Sequence, residues 1–144
     1  MSPELKNGSQ YLETAECTLA FGEKLAKTLA LPACVLFYGE LGAGKTTCIK
    51  GMARALGICP LDVVSPTFQY LNIYKGSCTL YHFDLYRMKG PDDFLKAGFE
   101  EFFSSNGIVV IEWAERIESI IPPHATKIYL AHDPSQGRQV KVVS

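Results

Sequence analysis

The feature that most constrains this chain is the stretch from 33 to 56, where an apolar run, a glycine-rich turn and a helix-compatible run follow one another. Ala33–Tyr38 (ACVLFY) is short and apolar, and it lies between Pro32 and a glycine. This pattern predicts a buried strand. The residues in 46–56 favour a helix, and Gly57 predicts its end. The stretch therefore predicts a strand, a tight turn and a helix.

The turn itself reads GELGAGKTT and satisfies the pattern G-x-x-x-x-G-K-[ST] in full. Gly42 and Gly44 permit a backbone in which consecutive N–H groups point at one anion, and the start of the helix adds its positive dipole end. Lys45 provides a cation for the outer phosphates of a nucleotide, and the Thr46 hydroxyl is placed to ligate Mg²⁺. The predicted nucleotide contacts in this turn are Leu41, Gly42, Ala43, Gly44, Lys45, Thr46 and Thr47.

Length and composition set the limits of the fold. The chain has 144 residues, of which 47% are hydrophobic and 20% charged, and these values are typical of one globular domain spanning 1–144. The formal net charge is -1, so the composition shows no large basic field of the kind that binds DNA. No apolar run approaches the roughly 20 residues of a membrane span, so we expect no membrane partner.

The cysteine pattern bears on localisation. The chain has five cysteines, an odd number, and no two of them form C-x-x-C. The first ten residues, MSPELKNGSQ, show no signal-peptide pattern. We therefore expect reduced and mostly buried thiols in a cytoplasmic protein.

The remaining pattern alternates strands and helices. The predicted strands are 9–13, 68–74, 78–83, 108–111, 127–131 and 138–143, in addition to Ala33–Tyr38. A helix capped by Thr14, one or two short helices in 94–103 and a brief helix in 114–121 lie between them. This order predicts an α/β fold: a P-loop NTPase-like three-layer sandwich with parallel central strands and antiparallel additions.

Two acidic residues are candidates for the catalytic site. Glu112 ends an apolar strand, which is where open α/β sheets place their ligand crevice; otherwise it is an ordinary carboxylate facing water. Asp84 ends another predicted strand; otherwise it forms a surface ion pair with Arg87. Either carboxylate could hold Mg²⁺ or orient the attacking water, and the residues alone do not divide these roles.

Other polar and aromatic positions are less specific. Thr67, in the Ser65–Phe68 segment, lies where a nucleotide-sensing loop often sits, although the segment is also compatible with a simple proline turn. Trp113 is either a packing residue or a neighbour of the site. The three histidines lack metal-ligand spacing, so we expect structural or solvated roles for His82, His124 and His132.

Two absences from the sequence favour ATP hydrolysis over other nucleotide chemistry. The guanine-reading pattern N-K-x-D does not occur, which favours ATP over GTP. The four arginines are scattered, whereas a small-molecule kinase usually gathers several in a lid. The open alternatives are a P-loop small-molecule kinase and a non-hydrolysing, ATP-dependent interaction module.

The motifs GELGAGKTT, SPTF, HFDLYR and IEW occur in this order, and together they resemble those of the TsaE (YjeE) family. The resemblance extends from the first helix to the Gly137–Arg138 pair. It implies a single-domain ATPase of bacterial tRNA threonylcarbamoyladenosine (t6A) biosynthesis. Such a protein works with the TsaD–TsaB pair, which transfers the threonylcarbamoyl group to tRNA, so tRNA is an indirect partner.

The resemblance also implies roles for individual residues. Thr46 and Glu112 would hold Mg²⁺, and Asp84 would lie at the ATP phosphates. Arg138 would reach the nucleotide, and Ala15, at the start of the first helix, would border the adenine.

Overall fold

The structure is a computed structural model that describes residues 8–40, 42–66 and 68–144. Seven strands in these ranges form one sheet in the order β1-β7-β6-β2-β5-β4-β3. The strands are β1 (Gly8–Leu12), β2 (Ala33–Tyr38), β3 (Leu71–Lys75), β4 (Thr79–Asp84), β5 (Ile108–Glu112), β6 (Thr126–His132) and β7 (Arg138–Val143). The α-helices are α1 (Ala15–Thr28), α2 (Lys45–Ala55) and α3 (Pro91–Lys96). Short 3₁₀ helices span Pro60–Asp62, Phe99–Ser104 and Ala114–Ile120.

The centre of the sheet is parallel and its margins are antiparallel. β2 pairs in parallel with both β5 and β6, and β4 pairs in parallel with β5. β3 adds antiparallel to β4, while β7 adds to β6 and β1 to β7. The predicted fold class is therefore confirmed, and the carboxyl ends of four central strands meet at one edge.

Each face of the sheet carries its own apolar core, because successive strand residues point to opposite faces. Val35, Phe37 and Val110 belong to the core beneath α1 and α2. Leu36 and Ile111, one position along each strand, belong to the second core. That second core is completed by aromatic side chains from α3 and the 3₁₀ helices, including Phe94, Phe99, Phe102 and Phe103. The result is the expected three-layer arrangement.

Helices α1 and α2 approach each other closely at two glycines. A Cβ atom at Gly22 would overlap the carbonyl oxygen of Cys48, and a Cβ atom at Gly51 would overlap that of Leu19. Each helix thus presents a bare backbone position to a carbonyl group of the other. This contact fixes the helix that follows the glycine turn against its neighbour.

We expect Gly51→Ala to lower the free energy of unfolding by about 1–3 kcal/mol, since a methyl group has no space between the two helices. On the exposed face of a helix the same change would stabilise the helix by about 1 kcal/mol. The sign of the change in stability therefore reports whether the two helices are closely packed at this position. Urea unfolding measures the difference. Gly90→Ala is the control, because nothing lies within 4 Å of a Cβ atom at Gly90; its effect should be at most about 1 kcal/mol. Equal stability of Gly51→Ala and the parent chain would contradict the close packing.

Two predicted elements differ from the structure. The strand predicted for 68–74 begins only at Leu71, because Tyr70 has a φ of 65° and its N–H donates to the Pro66 carbonyl at 3.0 Å. The preceding loop therefore continues through a turn. The brief helix predicted for 114–121 is a 3₁₀ helix, and Ile117 interrupts its helical dihedral angles with a φ of -129°.

The expectation of mostly buried thiols is wrong for three of the five cysteines. All five cysteines are free, but Cys17 and Cys59 are exposed and Cys78 is partly buried. Cys34 and Cys48 are buried, and burial raises the pKa of the Cys34 thiol to about 12. These two thiols pack as small apolar groups. None of the helices in the described ranges combines the length and hydropathy needed to cross a membrane.

Candidate functional site

The glycine turn after β2 leads directly into the N-terminus of α2. Gly44 is the N-cap, with a φ of 103°, and Gly42 has a φ of 80°, both in the left-handed region that favours glycine. No side chain in the described ranges caps α2, whereas Thr14 caps α1 by accepting a hydrogen bond from the Cys17 N–H at 3.1 Å. The first-turn N–H groups of α2 have no intrahelical partner and can receive an anion.

Lys45 is folded back over its own loop. Its side chain is buried, with 6% of the residue exposed, and its Nζ donates to the Gly39 carbonyl at 2.6 Å. The same Nζ lies 4.7 Å from the centre of the Trp113 ring, a cation–π distance. Trp113 has a φ of 62°, an uncommon conformation for a bulky residue. Trp113 is therefore a neighbour of the site.

The two candidate carboxylates lie side by side at the sheet edge where the glycine turn begins. Asp84 at the end of β4 is in register with Glu112 at the end of β5, and Glu112 is in register with Phe37 of β2. Strand alternation puts both carboxylates on the face covered by α1 and α2, which is the face of Phe37 and Val110. Both are buried: Glu112 is 4% exposed and Asp84 8%.

Asp84 connects the sheet edge to the loop that precedes β3. Its Oδ2 accepts a hydrogen bond from Ser65 Oγ at 2.6 Å, and its Oδ1 accepts one from the Tyr86 N–H at 3.0 Å. Arg87 lies over the Phe68 ring at 4.5 Å, and no ion pair between Asp84 and Arg87 occurs in the described ranges. The surface-pair alternative for Asp84 is therefore wrong.

Glu112 has a buried partner that the sequence analysis did not connect to it. His82 Nε2 lies 2.7 Å from Glu112 Oε2, and His82 is 0% exposed. His82 precedes Asp84 by two positions on β4, so both side chains share one face. The pattern His-x-Asp on a strand carries this signal, but the pairing of β4 with β5 is needed to show which carboxylate the histidine meets.

A small cavity lies beside the start of α2. It has a volume of about 130 Å³ and is lined by Ala15, Thr18, Gly44, Thr47 and Arg138, among others. An Nη2 atom of Arg138 donates to the Gly42 carbonyl at 3.3 Å. The structure thus brings Ala15, Thr47 and Arg138, all predicted nucleotide contacts, to one side of the glycine turn.

Some predicted contacts are placed differently or are not described. Leu41 and Thr67 lie outside the described residues. The Ala43 N–H donates to the Glu40 carbonyl at 3.1 Å, so it is engaged within the loop. A larger cavity of about 500 Å³, lined in part by Ala33 and His124, lies at the opposite edge of the sheet, where β2 begins. It is separate from the glycine turn and the two carboxylates.

Comparison with known proteins identifies the family. The model of the family described as "Threonylcarbamoyl adenosine biosynthesis protein TsaE" matches residues 12–140. The chain belongs to the TsaE family. This confirms the resemblance drawn from the four sequence motifs, and the matched range includes the glycine turn, both carboxylates and Arg138.

Individual TsaE relatives are similar in sequence to this chain over most of their lengths. The protein named tRNA threonylcarbamoyladenosine biosynthesis protein TsaE from Treponema pallidum is 37% identical over 129 residues, which cover 90% of this chain and 95% of the relative. The TsaE protein of Bacillus subtilis is 40% identical over 119 residues, which cover 81% of this chain and 73% of that relative. The crystal structure of YdiB from Bacillus subtilis superposes with a TM-score of 0.77 at 31% identity, covering 98% of this chain and 87% of YdiB.

Proposed function

We propose that this chain is a Mg²⁺-dependent ATPase that acts in tRNA t6A biosynthesis together with the TsaD–TsaB protein pair. The observation that carries the proposal is the register of Asp84 with Glu112 beside the glycine turn. Two carboxylates at the carboxyl end of a parallel sheet, next to an uncapped helix N-terminus, suit a metal–triphosphate complex. Membership of the TsaE family supports the biosynthetic process.

The triphosphate would bind in the turn formed by Gly42–Thr46. Its negative charge would face the first N–H groups of α2 and the ammonium group of Lys45. Lys45 Nζ donates to the Gly39 carbonyl at 2.6 Å, and an ammonium group has three N–H donors, so the others would be available to the phosphates. The nucleoside would extend toward the cavity lined by Ala15, Thr47 and Arg138.

The oxygen donors near the turn fit Mg²⁺. Magnesium binds through one or two protein oxygens together with substrate phosphates and water, and the Thr46 hydroxyl and Glu112 carboxylate would supply these protein oxygens. When bound, the ion neutralises charge on the β- and γ-phosphates. Asp84, whose oxygens accept from Ser65 and from the Tyr86 N–H, would lie at the γ-phosphate and link it to the Ser65 loop.

The arginines support slow hydrolysis by the isolated chain. Each has contacts in the structure, and none of these contacts in the described ranges is with Asp84 or Glu112. Arg54 pairs with Glu16 and Glu23, Arg87 covers Phe68, Arg116 donates to the Tyr86 carbonyl, and Arg138 donates to carbonyl groups of loops. An arginine supplied by a partner protein accelerates phosphoryl transfer by about 10³–10⁵-fold in other P-loop proteins.

We expect the chain alone to release phosphate from ATP slowly and the TsaD–TsaB pair to accelerate release, by up to the roughly 10³–10⁵-fold that a partner arginine supplies. The assay follows labelled γ-phosphate with the chain alone, the pair alone and the mixture. The mixture containing Lys45→Ala serves as the control for contaminating ATPases. Fast turnover that ignores the pair, or label transferred to an added metabolite instead of water, would contradict the proposal.

A further inference from the structure

The contact between His82 and Glu112 is the most buried polar pair at the site. The side chain of His82 is 0% exposed and that of Glu112 6% exposed, and 2.7 Å separates Nε2 from Oε2. The partners of Asp84, by contrast, are Ser65 and the Tyr86 N–H. The two neighbouring carboxylates are thus held by different groups, and Glu112 depends on a side chain of the adjacent strand.

The chemistry of the pair determines where the imidazole proton lies. A carboxylate that binds a metal ion is ionised and only accepts hydrogen bonds, so in that role Glu112 would accept from a proton on His82 Nε2. The other nitrogen, Nδ1, is buried and has no hydrogen-bond partner among the described residues. A lone pair at Nδ1 leaves an unpaired acceptor there, whereas a proton would leave an orphaned buried donor, which is rarer in proteins. Both nitrogens therefore favour the form with its proton on Nε2.

We infer that His82 is a positioning residue for Glu112, holding Oε2 so that Oε1 is left to the metal–phosphate complex. This inference rests on the proposed function. A glutamate side chain has several rotatable bonds, and ordering it opposes metal binding unless another group has already fixed it. Partners that orient metal ligands in this way typically contribute 10–100-fold to metal affinity or activity.

Two amide substitutions of His82 separate positioning from simple packing. In His82→Gln the side-chain amide nitrogen can reach the place of Nε2, whereas in His82→Asn it reaches only the place of Nδ1. Both variants keep a polar amide in the core. They therefore differ mainly in whether an N–H group can reach Glu112.

The measurement is the Mg²⁺ concentration that half-saturates the stabilisation of the chain by a non-hydrolysable ATP analogue. Thermal unfolding and the fluorescence of Trp113, the one tryptophan of the sequence, both report it. We expect His82→Asn to raise this concentration by about 10–100-fold, while His82→Gln stays close to the parent chain. Affinity for the analogue in EDTA should be the same in all three proteins.

Equal Mg²⁺ midpoints for the two amide variants and the parent chain would overturn the inference, whatever their melting temperatures.

Nitrogen-15 NMR of the unmodified chain provides a test that does not depend on a variant folding. A proton on His82 Nε2 would support the inference, and its absence would overturn it. If the parent chain gains no Mg²⁺-dependent stabilisation from the analogue, the proposed function fails together with the inference. If the parent chain gains this stabilisation and the variants have the same Mg²⁺ midpoint as the parent, only the inference fails.

Discussion

Lys45→Ala is expected to abolish nucleotide binding while leaving the fold intact. The lysine provides the cation that faces the outer phosphates, whereas Arg138, a second cation at the turn, donates to the Gly42 carbonyl. A ligand at about 100 times its Kd stabilises a protein by about 2.7 kcal/mol, and this increment should disappear in the variant. Thermal unfolding with and without Mg·ATP measures it. GTP in place of ATP tests the expected preference for adenine.

The control for Lys45→Ala is Lys50→Ala, which removes a charge from the same helix five residues further on. This variant should keep the full ATP-dependent stabilisation. Without nucleotide, Lys45→Ala should unfold cooperatively, with a modest loss of stability from the missing contacts to Gly39 and Trp113. Retained stabilisation by ATP in Lys45→Ala would refute the assignment of the glycine turn.

Glu112→Gln is expected to lower the rate of ATP hydrolysis by roughly 10²-fold or more, the size typical of losing a directly acting catalytic group. The amide is nearly isosteric, and its carbonyl oxygen still accepts from His82. What the variant lacks is the negative charge that would balance the metal. We therefore also expect hydrolysis by Glu112→Gln to require more Mg²⁺, measured as phosphate release over a Mg²⁺ titration.

Asp84→Asn is the matched comparison for Glu112→Gln. Asp84 would act at the phosphate and through Ser65, so its variant should lose rate at saturating Mg²⁺ with little change in the Mg²⁺ midpoint. A reversed pattern would exchange the roles of the two carboxylates. Unchanged hydrolysis in both variants would contradict a catalytic role for this sheet edge and favour a module that only binds ATP.

The glycine turn could be predicted from the sequence because its determinants are contiguous. A strand, two left-handed glycines and a helix start follow one another within one short stretch, and local backbone preferences decide the outcome. Glu112 could be predicted for a similar reason, since it ends a continuous apolar run. Asp84 also lies at its predicted strand end, although its contact with Ser65 was not predicted.

The contact between His82 and Glu112 could not be predicted in this way. The two residues are 30 positions apart, and they meet only because β4 lies parallel to β5. Local pattern does not specify which strands are neighbours. The same limit applies to Trp113, whose position over Lys45 follows from a left-handed backbone conformation that a tryptophan rarely adopts.

The start of β3 was predicted three residues too early for a different reason. The letters FQYLNIY alternate in part, with a break between Tyr70 and Leu71, and the Tyr70 N–H is committed to the Pro66 carbonyl. A local turn therefore prevails over alternation until Leu71. Ala15 and Arg138 were predicted as site residues only from the family resemblance, because the sequence around neither residue indicates that they line one cavity.

A crystal structure of the chain with Mg²⁺ and a non-hydrolysable ATP analogue tests the central claim most directly. The account predicts the triphosphate within the Gly42–Thr46 turn at the start of α2, with Lys45 Nζ within hydrogen-bond distance of the phosphates. A turn that stays empty, with the analogue bound elsewhere, would contradict it.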